Sequence, residues 1–191
     1  MAEDRPKSTY RNLTDDITLA NLDRRLLFLT EEIGQPEAQA LLIDIMYLAG
    51  RSKEPIRLIM SSPGGDVYEG LLIYNAIRDV QAAGTPVVVE IFGLCASMAA
   101  VVLQAASLRI AHRGSRFLLH EVREFKFFSE ETATEKADEA EELARINRTL
   151  IEILAERSGK KIEEIADLIK RRNYWLSASE AKLFGLVDQV V

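Results

Sequence analysis

Positions 1 to about 20 are polar, with apolar residues only scattered among them, so this stretch is expected to be a mobile N-terminal arm or axial loop. From there the pattern becomes regular, and residues 21–191 are expected to form a single domain. Leu26-Leu27-Phe28-Leu29 is a short buried-strand signal. Between Glu37 and Ala49, Ala40, Leu41, Ile43, Ile45, Met46 and Leu48 recur at helical spacing, with Pro36 suited to a first turn and Gly50 as a stop.

A strand-turn-helix unit then repeats. Ile56 to Met60 reads as a strand, Ser61 to Gly65 as a turn and Val67 to Ala82 as a helix with Leu71, Leu72, Ala76, Ile77 and Val80 inward. Pro86 to Phe92 reads as the next strand, Gly93 to Ala96 as a turn, and Met98 to Ala106 as a small-residue, apolar helix. Two short strands follow, Ser107 to Ala111 and Arg116 to Leu119, joined by a polar turn around His112. Units of this kind in series predict an α/β domain with a largely parallel sheet.

The last third is different. Ser129 to Arg157 is charged and free of Gly and Pro, with Ala133, Ala137, Ala140, Ala144 and Ile151 near one face. Thr132 and Glu135 have capping-box spacing, and Ser158-Gly159 supplies a stop. A helix of about 25 residues spans roughly 38 Å, longer than the core beneath it, so it either projects toward another subunit or lies on its own domain. A helix over Ile162 to Arg172 and a closing strand over Leu186 to Val191 complete the chain.

Composition narrows what such a domain can be. The chain has 191 residues, net charge −6, two histidines and one cysteine, and its pI is about 5.1. A lone cysteine leaves no internal disulfide or CxxC metal site, and the acidic balance disfavours a nucleic-acid surface. The N-terminal stretch lacks the apolar core of a secretory signal and is too acidic for a transit peptide; Ile91 to Leu108 is too broken by Gly93, Ser97, Gln104 and Ser107 to span a membrane. A soluble, cytoplasmic protein is expected.

The candidate chemistry sits at two strand ends, where ligands gather in α/β sheets. Ser61-Ser62-Pro63-Gly64-Gly65-Asp66 puts two glycines before a helix, a turn that can hold a phosphate, carboxylate or oxyanion, or simply supply positive φ. Ser97, between small residues at a strand-to-helix junction, can cap the helix or act as a nucleophile with the following amide as an oxyanion donor. A serine nucleophile needs a base. His112 lies in a polar turn and is expected to be solvated, whereas His120 ends the apolar strand Phe117-Leu118-Leu119 and is the better placed. Cys95, in apolar surroundings, reads as a small buried side chain. No metal-ligand spacing, P-loop or dinucleotide fingerprint is present, so no cofactor is expected.

Five ordered motifs carry a resemblance from about Asp16 to Val191: Arg25 to Thr30, Ser61 to Gly65, Gly70 to Tyr74, Ala96-Ser97-Met98 with the His120 strand end, and Leu176-Ser177-Ala178 leading to Gly185-Leu186-Val187-Asp188. They resemble the proteolytic subunit (ClpP) family of the ATP-dependent Clp proteases, serine peptidases of the crotonase-like fold. The resemblance implies repeated β-β-α units with a protruding handle helix over about 129–157. It implies Ser97 as nucleophile, His120 as general base and the N–H groups of Gly65 and Met98 as oxyanion hole, with Gly64, Asp66 and Val67 binding substrate. It also implies unfolded polypeptide substrates, an AAA+ Clp unfoldase as partner, and stacked heptameric rings interlocked by the handle, with a paralogous subunit as a further possible ring member.

Three features depart from the family pattern. The usual triad Asp falls on Asn173, with Asp167 the nearest upstream acid; an Asn orients an imidazole but does not stabilise the imidazolium by charge. This predicts a weakly or conditionally active peptidase. The stretch Glu121 to Phe128 is bulky and charged where the family runs into Gln-Pro and glycines, and the N-terminal arm lacks the family's apolar pattern. Two alternatives remain: a structural or regulatory subunit of a mixed ring, and a crotonase-like acyl-thioester enzyme.

Overall fold

Strands and helices alternate along most of the chain. The computed structural model describes residues 9–122, 133–170 and 172–191. The order is α1 (Thr9–Asp23), β1 (Leu26–Leu29), α2 (Gln35–Arg51), β2 (Ile56–Ser62), α3 (Val67–Ala82), β3 (Val87–Ala96), α4 (Met98–Leu103), β4 (Leu108–Ala111) and β5 (Arg116–Leu119). After it come α5 (Ala133–Ser158), α6 (Ile162–Ile169), β6 (Tyr174–Ser177), α7 (Ala178–Phe184) and β7 (Gln189–Val190). The parallel path β1-β2-β3-β4-β7 forms the body of one sheet, while β5 runs parallel to β3 and antiparallel to β6.

β3 is the hub. Val88 to Ile91 pair with β4, and Leu94 to Ala96 pair with β5. The switch between partners occurs at a bulge, where the β2–β3 register jumps between Met60 and Ser62. Ser61 Oγ fills the bulge and accepts the Leu94 N–H at 3.2 Å. A Cβ on Gly93 would lie 2.6 Å from that oxygen, so any side chain there would have to displace the Ser61 hydroxyl. Gly93 to Ala96 therefore continues the strand, where the sequence reads a turn: the glycine marks a bulge that re-aims β3 rather than ending it.

The core lies between the sheet and its helices. α2 buries Ala38, Leu41, Ile45 and Leu48, and α3 buries Ile73, Ile77 and Val80. All six residues of α4 are buried, the mark of a helix enclosed on every side. Gly70 of α3 gives α4 its seat, since a Cβ there would meet Met98 Cε at 2.8 Å. At the far edge, Arg109 is 5% exposed and ties three elements together. It bonds Asp188 Oδ2 through Nε at 3.1 Å, Gln104 Oε1 at 2.6 Å and the Gly185 carbonyl at 2.9 Å.

Several boundaries differ from the pattern reading. Thr9–Asp23 is helical where a loop is expected. α2 runs through Gly50 to Arg51, α4 stops at Leu103, α6 stops at Ile169, and the last strand is only Gln189–Val190. α7 escapes a periodicity search because it has seven residues, yet Ser177 and Glu180 form a full capping box. Residues 1–8 of the expected arm, Thr132 of the expected α5 capping box, 129–132 of the expected handle and 123–128 after His120 lie outside the described residues.

Candidate active site

The glycine turn after β2 is built for close approach. Gly64 and Gly65 have φ of 90° and 149°. A Cβ on Gly64 would lie 2.7 Å from Ser97 Cβ and 2.8 Å from Met98 N, so the turn packs directly against the strand-to-helix junction. Ile33 bridges the turn: its N–H donates to the Gly64 carbonyl at 2.7 Å, and its carbonyl accepts the Asp66 N–H at 2.8 Å. A Cβ on Gly65 would lie 2.7 Å from Ile33 N, again excluding any side chain. These bonds leave the Gly65 N–H without a partner among the described residues. Asp66 starts α3, its Oδ1 accepting the Glu69 N–H at 3.0 Å.

Ser97 occupies the sharpest backbone conformation at the site, φ 54° and ψ −126°. For a residue with a Cβ this costs of the order of 1–3 kcal/mol, which the surrounding structure must supply. It does so with two backbone bonds: Ser97 N–H to the Leu118 carbonyl at 2.8 Å, and Ala100 N–H to the Ser97 carbonyl at 3.0 Å. The Ser97 side chain makes no cap hydrogen bond. Of the two readings open in the sequence, helix cap and nucleophile, the cap fails. Met98 begins α4, so its N–H is one of the orphan donors of a helix start, and it has no hydrogen-bond partner among the described residues.

His120 follows β5. Its Nδ1 lies 2.6 Å from the Glu121 carbonyl. A carbonyl only accepts, so Nδ1 carries the hydrogen and Nε2 is left as the basic nitrogen of the neutral ring. Ser97 and His120 share one cavity without a direct hydrogen bond in this state; such contacts tighten when substrate docks. Leu119 pairs with Tyr174 in the antiparallel β5–β6 ladder, and extending that register one residue sets Asn173 opposite His120. Asn173 itself is exposed and is not part of the cavity wall.

The remaining candidates separate clearly. Cys95 is fully buried, and burial pushes its thiol well above the ordinary range, so it supplies no thiolate. His112 is half-buried rather than solvated, because its ring stacks on Phe92 at 4.0 Å and Nε2 comes within 4.0 Å of Glu90. Among the described residues no His, Cys, Asp and Glu cluster could hold a metal ion, and no helix is long and apolar enough to cross a membrane.

Ser97, Met98, His120, Gly65, Asp66 and Val67 line one cavity of about 710 Å³. Gly64 and Asn173 are not among its lining residues. The sequence reading missed two walls. One is the segment after β1, with Glu31, Glu32 and Glu37; the other is the root of α5, with Asn147, Leu150 and Leu154. Neither wall has a spacing signal, since the Ile33–Gly65 bridge and the docking of α5 are long-range contacts.

Known proteins share this fold. The family model described as Clp protease matches residues 9–191. The "ATP-dependent Clp protease proteolytic subunit 2" of Prochlorococcus marinus (strain MIT 9312) is 35% identical over 189 residues, covering 97% of this chain and 90% of that one. The "ATP-dependent Clp protease proteolytic subunit 1" of Salinibacter ruber is 34% identical, covering 92% of this chain and 74% of its own. Among solved structures, an Asn-to-Asp mutant of ClpP1 from Listeria monocytogenes superimposes with a TM-score of 0.80 at 27% identity, over 92% of this chain and 95% of that one.

Proposed function

The chain belongs to the Clp protease family, and from that premise we propose that it cleaves unfolded polypeptides with Ser97 as nucleophile and His120 as general base. It is a serine-type endopeptidase subunit with the crotonase-like α/β fold of the family. The observation that carries the site assignment is the strained, uncapped Ser97 beside two unpartnered N–H groups, those of Gly65 and Met98, in one cavity with His120.

The chemistry follows from that arrangement. Ser97 Oγ attacks the scissile carbonyl carbon while His120 Nε2 takes its proton. The carbonyl oxygen becomes an oxyanion, held by the N–H groups of Gly65 and Met98, which are fixed in place before the reaction and need no reorganisation. Collapse of the tetrahedral intermediate breaks the C–N bond, and the imidazolium gives its proton to the departing amine. Water, deprotonated by His120, then releases the acyl group from Ser97. Gly64, Asp66 and Val67 support the substrate strand along the turn. No cofactor enters these steps.

The third position shapes the activity. Asn173, opposite His120 in register, offers an amide oxygen to Nδ1–H, and in this state the Glu121 carbonyl occupies that hydrogen. Both acceptors are uncharged, so neither stabilises the imidazolium as a carboxylate does. The chain is accordingly a slow or conditionally active peptidase, working in stacked heptameric rings in the cytoplasm with an AAA+ Clp unfoldase as supplier of substrate. The uncharged triad also favours a second reading, a ring member that is mainly structural beside a more active paralogue. The acyl-thioester alternative has no observation in its favour.

Treatment with a serine-directed fluorophosphonate followed by mass spectrometry separates these readings. Modification confined to Ser97, lost in Ser97→Ala, is the expected result. No labelling of the assembled protein would instead make it a structural subunit.

A further inference from the structure

The wall of the cavity beside the glycine turn is acidic. Glu31, Glu32 and Glu37 line it, and among the described lining residues there is no lysine or arginine. These carboxylates are not on a loose loop. Ser62 Oγ donates to the Glu31 carbonyl at 2.6 Å, Ile33 N–H donates to the Gly64 carbonyl at 2.7 Å, and the Ile33 carbonyl accepts the Asp66 N–H at 2.8 Å. Three hydrogen bonds therefore staple residues 31–33 to the turn that carries the Gly65 N–H. Glu37 belongs to the first turn of α2, and its Oε2 folds back over Gly34, 2.9 Å from where a Cβ would stand. It is held at the rim of the same cavity. The opposite wall is apolar, formed by buried Leu150, Ile151 and Leu154 of α5.

We infer that this groove selects substrates bearing a lysine or arginine beside the scissile bond, the basic side chain facing Glu31, Glu32 and Glu37 while an apolar neighbour fills the α5 side; the inference rests on the peptidase reading above. A substrate strand running along Gly64–Asp66 passes directly by the stapled segment, so a side chain projecting from it reaches the exposed carboxylates of Glu31 and Glu32, whose backbone those bonds hold in place. The side chains still order on contact, and a low-dielectric apolar wall concentrates the negative potential at the rim. Partly exposed pairs each change affinity by about 1.5- to 5-fold, so several acting on one cation give about tenfold. An acidic side chain in the same place meets repulsion of similar size, which widens the discrimination.

The test uses the full-length Ser97→Ala chain, so that binding is read whether or not turnover is fast. Three fluorescent peptides share an apolar residue next to a Lys, Gln or Glu. The Lys peptide is expected to bind about tenfold more tightly than the Gln peptide at low ionic strength, and the Glu peptide more weakly than either. At about 0.5 M NaCl the Lys advantage should shrink to about twofold. In E31Q/E32Q/E37Q the Lys-to-Gln ratio should approach one, and Glu31→Gln and Glu32→Gln singly should each lower it if the triple variant folds poorly. Equal binding of Lys and Glu peptides, a Lys preference that survives the triple substitution, or no binding of any of the three overturns the inference. Fluorophosphonate labelling of Ser97 in the parent chain judges the peptidase reading separately, so the two can fail independently.

Discussion

Ser97 is the position where sequence and structure say the most together. Its small neighbours make the junction legible, but only the backbone geometry decides against a helix cap. The proposed base, His120, was legible by elimination among two histidines. Its orientation was not, because the acceptor of its Nδ1 hydrogen is a backbone carbonyl, and a carbonyl leaves no trace in a residue pattern. Asn173 was reached through the family resemblance, and extending the β5–β6 register by one residue sets it opposite His120. A carboxylate there would compete with the Glu121 carbonyl for Nδ1–H and stabilise the imidazolium. Asn173→Asp is therefore expected to raise kcat for a peptide substrate by tenfold or more, within the roughly 10⁴-fold that the reverse exchange costs in a Ser-His-Asp protease. An unchanged kcat in that variant, with Ser97→Ala inactive, would mean that Asn173 does not limit the rate.

Among the elements, α3 emerges at Val67–Ala82 as its pattern demands, whereas α2 runs one residue past its expected stop at Gly50. The failures have specific causes. Gly93 was read as punctuation because a bulge and a turn use the same residue, and what separates them is the Ser61 hydroxyl on the neighbouring strand. α1 was missed because its apolar residues are scattered among polar ones. The pairing of β4 with the chain's end was equally hidden, since Asp188 and Arg109 are 79 residues apart. Burial alone would raise the Asp188 carboxyl, but hydrogen bonds from the Arg109 side chain and backbone, with the charges of Arg109 and Arg157, outweigh it and hold the carboxyl below its usual range. A carboxyl held low stabilises the fold above the unfolded-chain value of about 3.9, and that contribution is lost as pH falls from there through the folded value. Asp188→Asn should cost about 2 kcal/mol at pH 7, less than a fully enclosed pair because Asp188 is a third exposed. Denaturant titrations should also show a shallower loss of stability below pH 4 in the variant than in the parent.

For the whole molecule the long helix matters most. From Leu150 onward α5 packs into its own domain, and Leu150, Ile151, Leu154 and Ala155 are buried. Nearer its start, Ala137, Ala140 and Ala144 are exposed, an apolar stripe with nothing over it among the described residues. A helix seated at one end and bare at the other suits ring-to-ring contact in the assembly proposed above. Ala140→Glu should leave the melting temperature of the dissociated chain within about a degree, because surface changes are usually worth under 0.5 kcal/mol. Sedimentation should nevertheless show smaller particles; unaltered assembly would place the contact elsewhere. The pairing of β3 has a final effect. The Ser97 amide is bonded into the same ladder that makes β3 the centre of the sheet, so the proposed nucleophile has no private hinge. Loss of activity on heating should coincide with loss of the sheet, and the Ser97 amide proton should exchange with solvent as slowly as those of the central strand, on the timescale of global opening.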